Sequence, residues 1–222
     1  MQFSCNICFE LSCKENARFS NSIDNNCVKN AVLSYTDNYA IIPSIGPITH
    51  GHNLLVSRNH LNTIFGGTFN QTEIYTLLDF ASNLMTNNTN DCILCFEHGS
   101  FSQECKSLCS TCHAHLHIIP CNMQLSKVIM DDICRKEHTG DLMKMKDICN
   151  KYSEYILIYT YGRSYTTSFR VKMAKNLPSQ YLRRLVVHHL NSSYWDWKQD
   201  LNKNLFNKNI ESLPYQFNIP LK

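Results

Sequence analysis

The sequence lacks any long apolar run, since no stretch approaches the about 18 consecutive apolar residues of a membrane-spanning helix. Its start, Met1 to Glu10, lacks the apolar stretch of a secretory signal peptide. A strong excess of one charge sign is also missing, because the formal net charge is only +3. These absences argue against membrane insertion, secretion and a nucleic-acid surface. We therefore expect a cytoplasmic protein of one full domain plus an extension, without a membrane partner and with nucleic acid disfavoured.

Cysteine, in contrast, is abundant, with 12 residues in a chain of 222. Because nothing indicates secretion, these cysteines are interpreted as reduced thiols or metal ligands rather than as a disulfide framework. Those that lie among apolar residues are most simply small core residues: Cys92, Cys95, Cys134 and Cys149. Seven of the ten histidines fall between His50 and His117, so we expect the chemistry of the chain in that segment.

Three of these histidines alternate with apolar residues just before Pro120. A period of two predicts a half-buried β-strand, on which His113, His115 and His117 would share one face. The residues expected on the opposite face, toward the core, are Ala114, Leu116 and Ile118. A single histidine on a strand is more often a packed core or surface residue. Three at this spacing indicate a chemical use.

The His-x-His-x-His pattern followed by apolar residues resembles the histidine-triad (HIT) superfamily of nucleotidyl hydrolases and transferases. A second segment resembles the same family, because Pro47 leads to Gly51-His52, then to an apolar strand over residues 53–57, and then to His60. The resemblance implies an α+β fold with a HIT-like antiparallel sheet and packed helices. It also implies a homodimer, formed by joining the sheets of two copies.

The patterns divide the chain into a HIT-like nucleotide-binding domain over residues 1–125 and a C-terminal α/β extension over residues 126–222. In the first part, apolar spacing predicts a helix from Thr72 to Met85 with Thr72 as its N-cap. In the second, we expect a β-hairpin and a helix packed on the first domain. This half is similar to extensions of larger bacterial HIT-like proteins, in which Pro-Ser-Gln-x-x-Arg (here residues 178–183) precedes Trp-x-Trp (here residues 195–197).

A C-x-x-C pair, Cys5 and Cys8, opens the chain and by itself fits a redox pair, half of a zinc knuckle or chance. In zinc-bearing members of the superfamily, two histidine ligands come from the positions that match His60 and His113. The resemblance therefore implies a structural zinc ion held by these four residues, a Cys₂His₂ set that zinc commonly takes. A neighbouring loop offers rival metal ligands or simply a cysteine-rich segment: Cys105, Cys109 and Cys112.

The resemblance also implies the roles of the reacting groups. His115 would attack the α-phosphorus of a nucleotide and form a nucleotidyl-histidine intermediate, which water or another acceptor would then cleave. His117 would donate to the α-phosphate or protonate the leaving group, and the latter role needs a pKa near neutrality. The family layout puts His52 beside the phosphate. Ser110 matches a position where a hydroxyl and a backbone N–H contact phosphate.

Some positions depart from the family pattern and concern substrate contacts. Ser44 stands where many small HIT proteins carry an acidic residue that holds the ribose hydroxyls, and Glu97 stands where they often carry asparagine. His98 is expected either near the phosphates or in a structural role. The candidate substrate contacts are Ser44, Glu97, His98, Ser110 and His117. Other polar side chains could close over phosphates or be solvated surface groups: Arg163, Gln180, Arg183 and Arg184.

The function favoured by these residues is cleavage at the α-phosphorus of a dinucleoside polyphosphate, a nucleoside phosphoramidate or a related nucleotide. One alternative is a nucleotide-binding or protein-interaction module with little turnover, associated with RNA processing. Another is removal of an adenylate from nucleic-acid ends. The intact histidine triad favours a nucleotide-cleaving enzyme. The long C-terminal extension and the replacement of the ribose-binding acidic residue by Ser44 favour the binding module. The lack of a stripe of basic residues argues against action on nucleic-acid ends.

Overall fold

The structure, a computed structural model, describes these ranges of residues: 5–11, 31–67, 69–86, 90–102, 113–162 and 166–215. Within them the helices are α1 (Asn6–Leu11), α2 (Gln71–Met85), α3 (Met123–Ile133), α4 (Leu142–Cys149), α5 (Tyr181–His189) and α6 (Lys203–Ser212). The strands are β1 (Ser34–Tyr35), β2 (Tyr39–Pro43), β3 (Asn53–Ser57), β4 (Cys92–Ser100), β5 (His115–Cys121), β6 (His138–Gly140), β7 (Glu154–Tyr161) and β8 (Thr167–Met173). No helix of this part combines the length and the apolar character required to cross a bilayer.

All eight strands join one sheet in the order β1-β2-β3-β5-β4-β7-β8-β6, and every neighbouring pair is antiparallel. The predicted α+β class, an antiparallel sheet with packed helices, is therefore confirmed. The predicted hairpin is present as β7 and β8, and β7 pairs with β4 from Ile93↔Tyr161 to Ser100↔Glu154. The C-terminal extension thus continues the sheet of the first half. Folding of residues 1–125 as a domain of its own stays a prediction.

Helix α2 begins earlier than its apolar periodicity predicts, because Asn70 and not Thr72 is the N-cap. The Asn70 Oδ1 atom accepts hydrogen bonds from the backbone N–H groups of Thr72 and Glu73, at 3.1 and 3.3 Å. Its Nδ2 group donates to the Glu73 carboxylate at 2.8 Å. The Asn70 oxygen thus satisfies two backbone N–H groups that have no partner within the helix, and the bond to Glu73 holds the Asn70 side chain in place. The short or polar elements α1, β6 and α6 are not indicated by the sequence patterns.

The two faces of the sheet are covered by different helices. Helices α2 and α4 pack on one face, where the predicted inward side of β5 is confirmed, since Ala114, Leu116 and Ile118 are buried in that cluster. On the other face, α3 and α5 pack against Leu94, Phe96 and further residues of β4 and β7. Helix α1 packs on this second face against β2 and β3. Burial of apolar area by these clusters stabilises the sheet on both sides.

Two side chains of β5, those of His115 and His117, lie between two of these hydrophobic clusters. On this face, Val56 of β3 belongs to the cluster of α1, and Phe96 of β4 belongs to the cluster of α3 and α5. Strand β5 lies between β3 and β4, with His115 opposite Val56 and His117 opposite Phe96. The two histidines are therefore half-buried between these two clusters.

Candidate functional site

Three histidines meet on the second face of the sheet. His115 and His117 project from β5, with ring centroids 5.2 Å apart, and His52 stands immediately before β3. Gly51 precedes His52 and has a φ of +79°, a backbone conformation that favours glycine. A Cβ atom at Gly51 would lie 2.8 Å from Pro120 Cγ, so only glycine lets the backbone before His52 pass this close to β5. The structure thus brings together three of the four predicted catalytic residues. The fourth, Ser110, lies outside the described residues.

A chain of hydrogen bonds sets the proton positions on two of these rings. The backbone N–H of Ile48 donates to His52 Nδ1 at 2.9 Å, so in the neutral ring the proton is on Nε2. That Nε2–H faces His117 Nδ1, also at 2.9 Å, so His117 accepts there and carries its own proton on Nε2. Phe96 stacks on the His117 ring with centroids 4.4 Å apart. His117 therefore presents an N–H donor whose direction is fixed by its neighbours.

The proton position on His115 follows from a backbone carbonyl. His115 Nδ1 lies 2.6 Å from the carbonyl oxygen of His113, which can only accept, so this nitrogen carries the proton. In the neutral ring the lone pair is then on Nε2. A nucleophilic imidazole needs this arrangement, in which one ring nitrogen donates its proton to an acceptor that orients the ring and the other nitrogen carries the lone pair.

Charge and burial keep the hydrogen-bonded pair neutral. Burial lowers the pKa of His52 well below its ordinary 6.5, and the cationic Arg183 lowers it further. Burial likewise lowers the pKa of His117 well below 6.5, with His52, His115 and Arg183 adding to the effect. Both rings are therefore neutral at pH 7. A neutral His117 is a hydrogen-bond donor toward an anion rather than a strong proton donor.

The predicted metal ligands form a compact cluster at the end of the sheet. One ligand atom from each of Cys5, Cys8, His60 and His113 lies within 4.8 Å of the others. Backbone pairing brings the two histidines together, because the Ser57 N–H donates to the Ala114 carbonyl and the Ala114 N–H donates to the Leu61 carbonyl. The two cysteines come from the start of α1. This cluster could hold a metal ion.

The orientation of the cluster's atoms also fits a cation. His113 Nε2 lies 2.7 Å from the Ser57 carbonyl oxygen, so it donates and leaves the Nδ1 lone pair facing both thiols at 3.4 Å. Cys8 Sγ is 3.3 Å from His60 Nδ1. A tetrahedral ion with bonds of about 2.0–2.3 Å spaces its ligands by about 3.3–3.8 Å, which matches these distances. In metal sites of this kind, a ligating histidine usually donates its other ring N–H to a carbonyl oxygen, which fixes the orientation of the ring.

The thiol chemistry of Cys8 argues against a redox pair. Burial and the adjacent Cys5 raise the pKa of Cys8 to about 12. Reactive redox thiols have a lowered pKa, because the thiolate is the attacking species. Metal binding also uses the thiolate, so the interpretation of the C-x-x-C pair as metal ligands rests on the proximity of the four candidate ligand atoms. The rival ligands Cys105, Cys109 and Cys112 lie outside the described residues.

Glu97 lies on the opposite face of the sheet from the histidines. Its carboxylate accepts hydrogen bonds from the Tyr155 hydroxyl at 2.6 Å and from the backbone N–H of Ile64 at 2.8 Å. It is fully buried, and burial raises its pKa to about 7. Since adjacent residues of β4 alternate between faces, it is His98 and not Glu97 that lies on the histidine side. The structure therefore does not bring Glu97 together with the other predicted substrate contacts.

The remaining predicted contacts have partners within the protein. Ser44 is buried, and its backbone N–H donates to the His52 carbonyl at 3.3 Å, so it lies at the base of the same loop. His98 Nε2 is 3.0 Å from a Glu154 carboxylate oxygen. Arg183, predicted either to close over phosphates or to be solvated, is 5% exposed. Arg163 lies outside the described residues.

Two contributors to the site were not predicted from the sequence. They are the backbone N–H of Ile48, which orients His52, and the ring of Phe96, which stacks on His117. A backbone donor leaves no side-chain signal, and the position of Phe96 depends on the β4–β5 register. An alternation of apolar and polar residues along β4 could have predicted the face on which Phe96 lies. The first five residues of β4 are all apolar, so the sequence shows no such alternation.

Comparisons with known proteins give a similarity among solved structures. No model of a known protein family matches the chain. No curated protein sequence matches it. Among solved structures, it is similar to the yeast Ap4A phosphorylase Apa2 in complex with AMP, with 11% identity and a TM-score of 0.40 over 88% of this chain and 80% of that chain. A likeness at this level does not assign an activity.

Proposed function

We propose that this protein is a nucleotide-processing enzyme that transfers a nucleotidyl group through His115. The observation that carries the proposal is the orientation of the three rings, with the His115 lone pair on Nε2 and the His117 proton on Nε2. One ring thus offers a nucleophile and its neighbour offers a donor, on the same face of one strand. The resemblance of the two histidine segments to the HIT superfamily supports a phosphorus centre as the target.

In the first step, His115 Nε2 attacks the α-phosphorus of the nucleotide. A bond forms between nitrogen and phosphorus, and the bond from phosphorus to the bridging atom breaks, so that the leaving group departs with the electron pair. The His117 N–H donates to a non-bridging phosphoryl oxygen, where negative charge is concentrated in the transition state. The resemblance to the family implies that Ser110 is a further hydrogen-bond donor to the phosphate.

In the second step, water or another acceptor attacks the same phosphorus through its oxygen. An oxygen–phosphorus bond forms, the phosphorus–nitrogen bond breaks with its electron pair returning to His115 Nε2, and the proton of the acceptor is released to solvent. The product is a nucleoside monophosphate when water is the acceptor, and His115 returns to its starting form. Splitting one displacement into two in-line steps is the advantage of a nucleophilic side chain.

The neutral state of His117 favours one class of substrate within this proposal. A polyphosphate leaves as a stable anion and needs no proton, whereas an amine leaving group of a phosphoramidate must be protonated. Because the pKa of His117 is held well below 6.5, its ring is a poor source of that proton. We therefore place dinucleoside polyphosphates ahead of phosphoramidates as substrates.

A zinc ion at the Cys₂His₂ cluster completes the proposal. It would be held by Cys5, Cys8, His60 and His113 and would tie α1 and the start of β5 to the end of β3. A closed four-ligand site contributes to folding and leaves no position for substrate. The metal is therefore assigned a structural role, and the phosphoryl chemistry is left to the histidines.

The decisive experiment compares wild type with His115→Ala on diadenosine tetraphosphate and on adenosine 5′-phosphoramidate. We expect wild type to release AMP, faster from the tetraphosphate, and to form an acid-labile AMP adduct that mass spectrometry detects after rapid quenching. His115→Ala should form no adduct and lose at least about 10³-fold in kcat. Equal activity of the two proteins would refute the proposal. Tight AMP binding by wild type without turnover would instead support a binding module.

The homodimer stays a prediction of the family resemblance. Strands β1 and β6 are the two edges of the described sheet, and an edge can pair with a second copy. Size-exclusion chromatography with light scattering tests this prediction. A mass near the chain's own 25.7 kDa at all concentrations would contradict it.

A further inference from the structure

The loop that carries His52 is held almost residue by residue by the C-terminal segment. The hydrogen bonds join Gly46 O to Arg183 Nη2 at 2.7 Å, Pro47 O to Asn202 Nδ2 at 3.1 Å, His50 Nε2 to Ser212 Oγ at 2.8 Å, Gly51 N to Asn209 Oδ1 at 3.0 Å, and Asn53 Oδ1 to the Tyr215 hydroxyl. The partners come from α5, from α6 and from the residues around it. One stretch of the extension thus spans the whole loop.

Arg183 is the most unusual of these contacts. It is 5% exposed, and its guanidinium bridges two carbonyls, Trp195 O through Nε at 2.8 Å and Gly46 O through Nη2 at 2.7 Å. Desolvation makes such a buried cation unfavourable unless its hydrogen bonds are specific. Burial lowers its pKa to about 10, so it is charged at neutral pH. A side chain at Gly46 would collide with Trp197, whose Cβ would lie 2.4 Å from the added carbon.

Asn209 makes a second buried contact with this loop, at Gly51 on the other side of Ile48. It has no exposed surface, and its Oδ1 accepts the backbone N–H of Gly51. A buried N–H without a partner is costly, so this bond stabilises the loop in the conformation with the positive φ at Gly51. Arg183 and Asn209 therefore hold the loop before and after Ile48, whose N–H orients His52.

We propose that the segment from Arg183 to Tyr215 is a positioning element of the active site, in which Arg183 and Asn209 hold the loop so that Ile48 fixes the tautomer of His52. This inference rests on the proposed function for its kinetic part only. A loop movement of about 1 Å would break the 2.9 Å bond between Ile48 and His52. His52 would then donate through either nitrogen, and His117 would lose its fixed donor direction.

The test uses Arg183→Met and Asn209→Ala, with Asn202→Ala as a milder variant of a partly exposed residue that should keep the fold. Arg170→Met is the matched control, because Arg170 is comparably buried but lies on β8, where it pairs with Asp131 of α3 and not with the His52 loop. Proton–nitrogen correlation spectra of the imidazoles report the tautomer directly. We expect His52 as the Nε2–H form in wild type and the control, and as a mixture in the three loop variants.

The kinetic measurement uses diadenosine tetraphosphate with the same proteins. We expect kcat to fall about 10- to 100-fold in Arg183→Met and Asn209→Ala, and less in Asn202→Ala, while KM changes by less than about twofold. Arg170→Met should lower thermal stability with kcat unchanged. An unchanged His52 tautomer and kcat in the folded loop variants would overturn the inference. A tautomer change in a protein whose wild type shows no turnover would support the positioning and refute the proposed function alone.

Discussion

Replacing Glu97 with glutamine tests whether this residue serves stability or substrate binding. The carboxyl is fully buried between Tyr155 and the Ile64 backbone, on the face of the sheet away from the histidines. Burial raises its folded-state pKa from 4.5 to about 7. Glutamine has the same shape, keeps an oxygen for the Ile64 N–H, and offers an amide to hydroxyls that can reverse direction. It does not titrate.

The sign of the pH effect follows from the raised pKa. The stability that protonated Glu97 contributes is fully present below the unfolded-state value of 4.5 and is lost as pH rises through about 7. The total loss for wild type is about 3 kcal/mol, and most of it falls between pH 5 and pH 8. Glu97→Gln should therefore gain about 2–3 kcal/mol on wild type over that interval, which is about 4–12 °C in Tm for a chain of this size.

The assay is urea unfolding of both proteins at pH 5 and pH 8, with Glu211→Gln as a control on the exposed surface of α6. The control should show the same pH dependence as wild type. If the stabilities of Glu97→Gln and wild type stay parallel between the two pH values, the reasoning from burial is refuted. A raised KM for diadenosine tetraphosphate with no gain in stability at pH 8 would instead indicate the substrate contact that the family resemblance implies.

Two further substitutions test the metal cluster and the histidine loop. Cys8→Ala removes one of the four ligands, so plasma mass spectrometry should find about one zinc per chain in wild type and much less in the variant. Cys134→Ala, which changes a cysteine outside the cluster, should keep the metal, and equal zinc in all three proteins would argue against the site. Gly51→Ala forces a side chain into a φ of +79° and against Pro120, so it should cost about 1–3 kcal/mol in urea unfolding and lower kcat. Wild-type stability and kcat in this variant would show that the loop does not need glycine.

Features that depend on the local spacing of residues could be predicted from the amino-acid sequence alone. The period of two around the histidine triad predicted the strand β5 and its buried side, and the apolar spacing of residues 72–85 predicted most of α2. Resemblance to a family with two separated histidine segments identified four possible metal ligands, and these now lie within 4.8 Å of one another. Such features survive in the sequence because they follow from the geometry of one element or from the chemistry of one motif.

The contacts that these residues make depend on how the elements pack, and they could not be predicted from the sequence. The run from Ile93 to Phe96 is apolar throughout because both faces of β4 are covered. The sequence therefore shows no alternation from which the contact of Glu97 with Tyr155 could be predicted. The proton positions of the histidines depend on backbone groups, the Ile48 N–H and the His113 carbonyl, which have no side-chain signature. The contacts of Arg183 and Asn209 with the His52 loop join residues more than a hundred positions apart. Strand register and long-range packing set these relations, and neither is encoded in the spacing of residues along the chain.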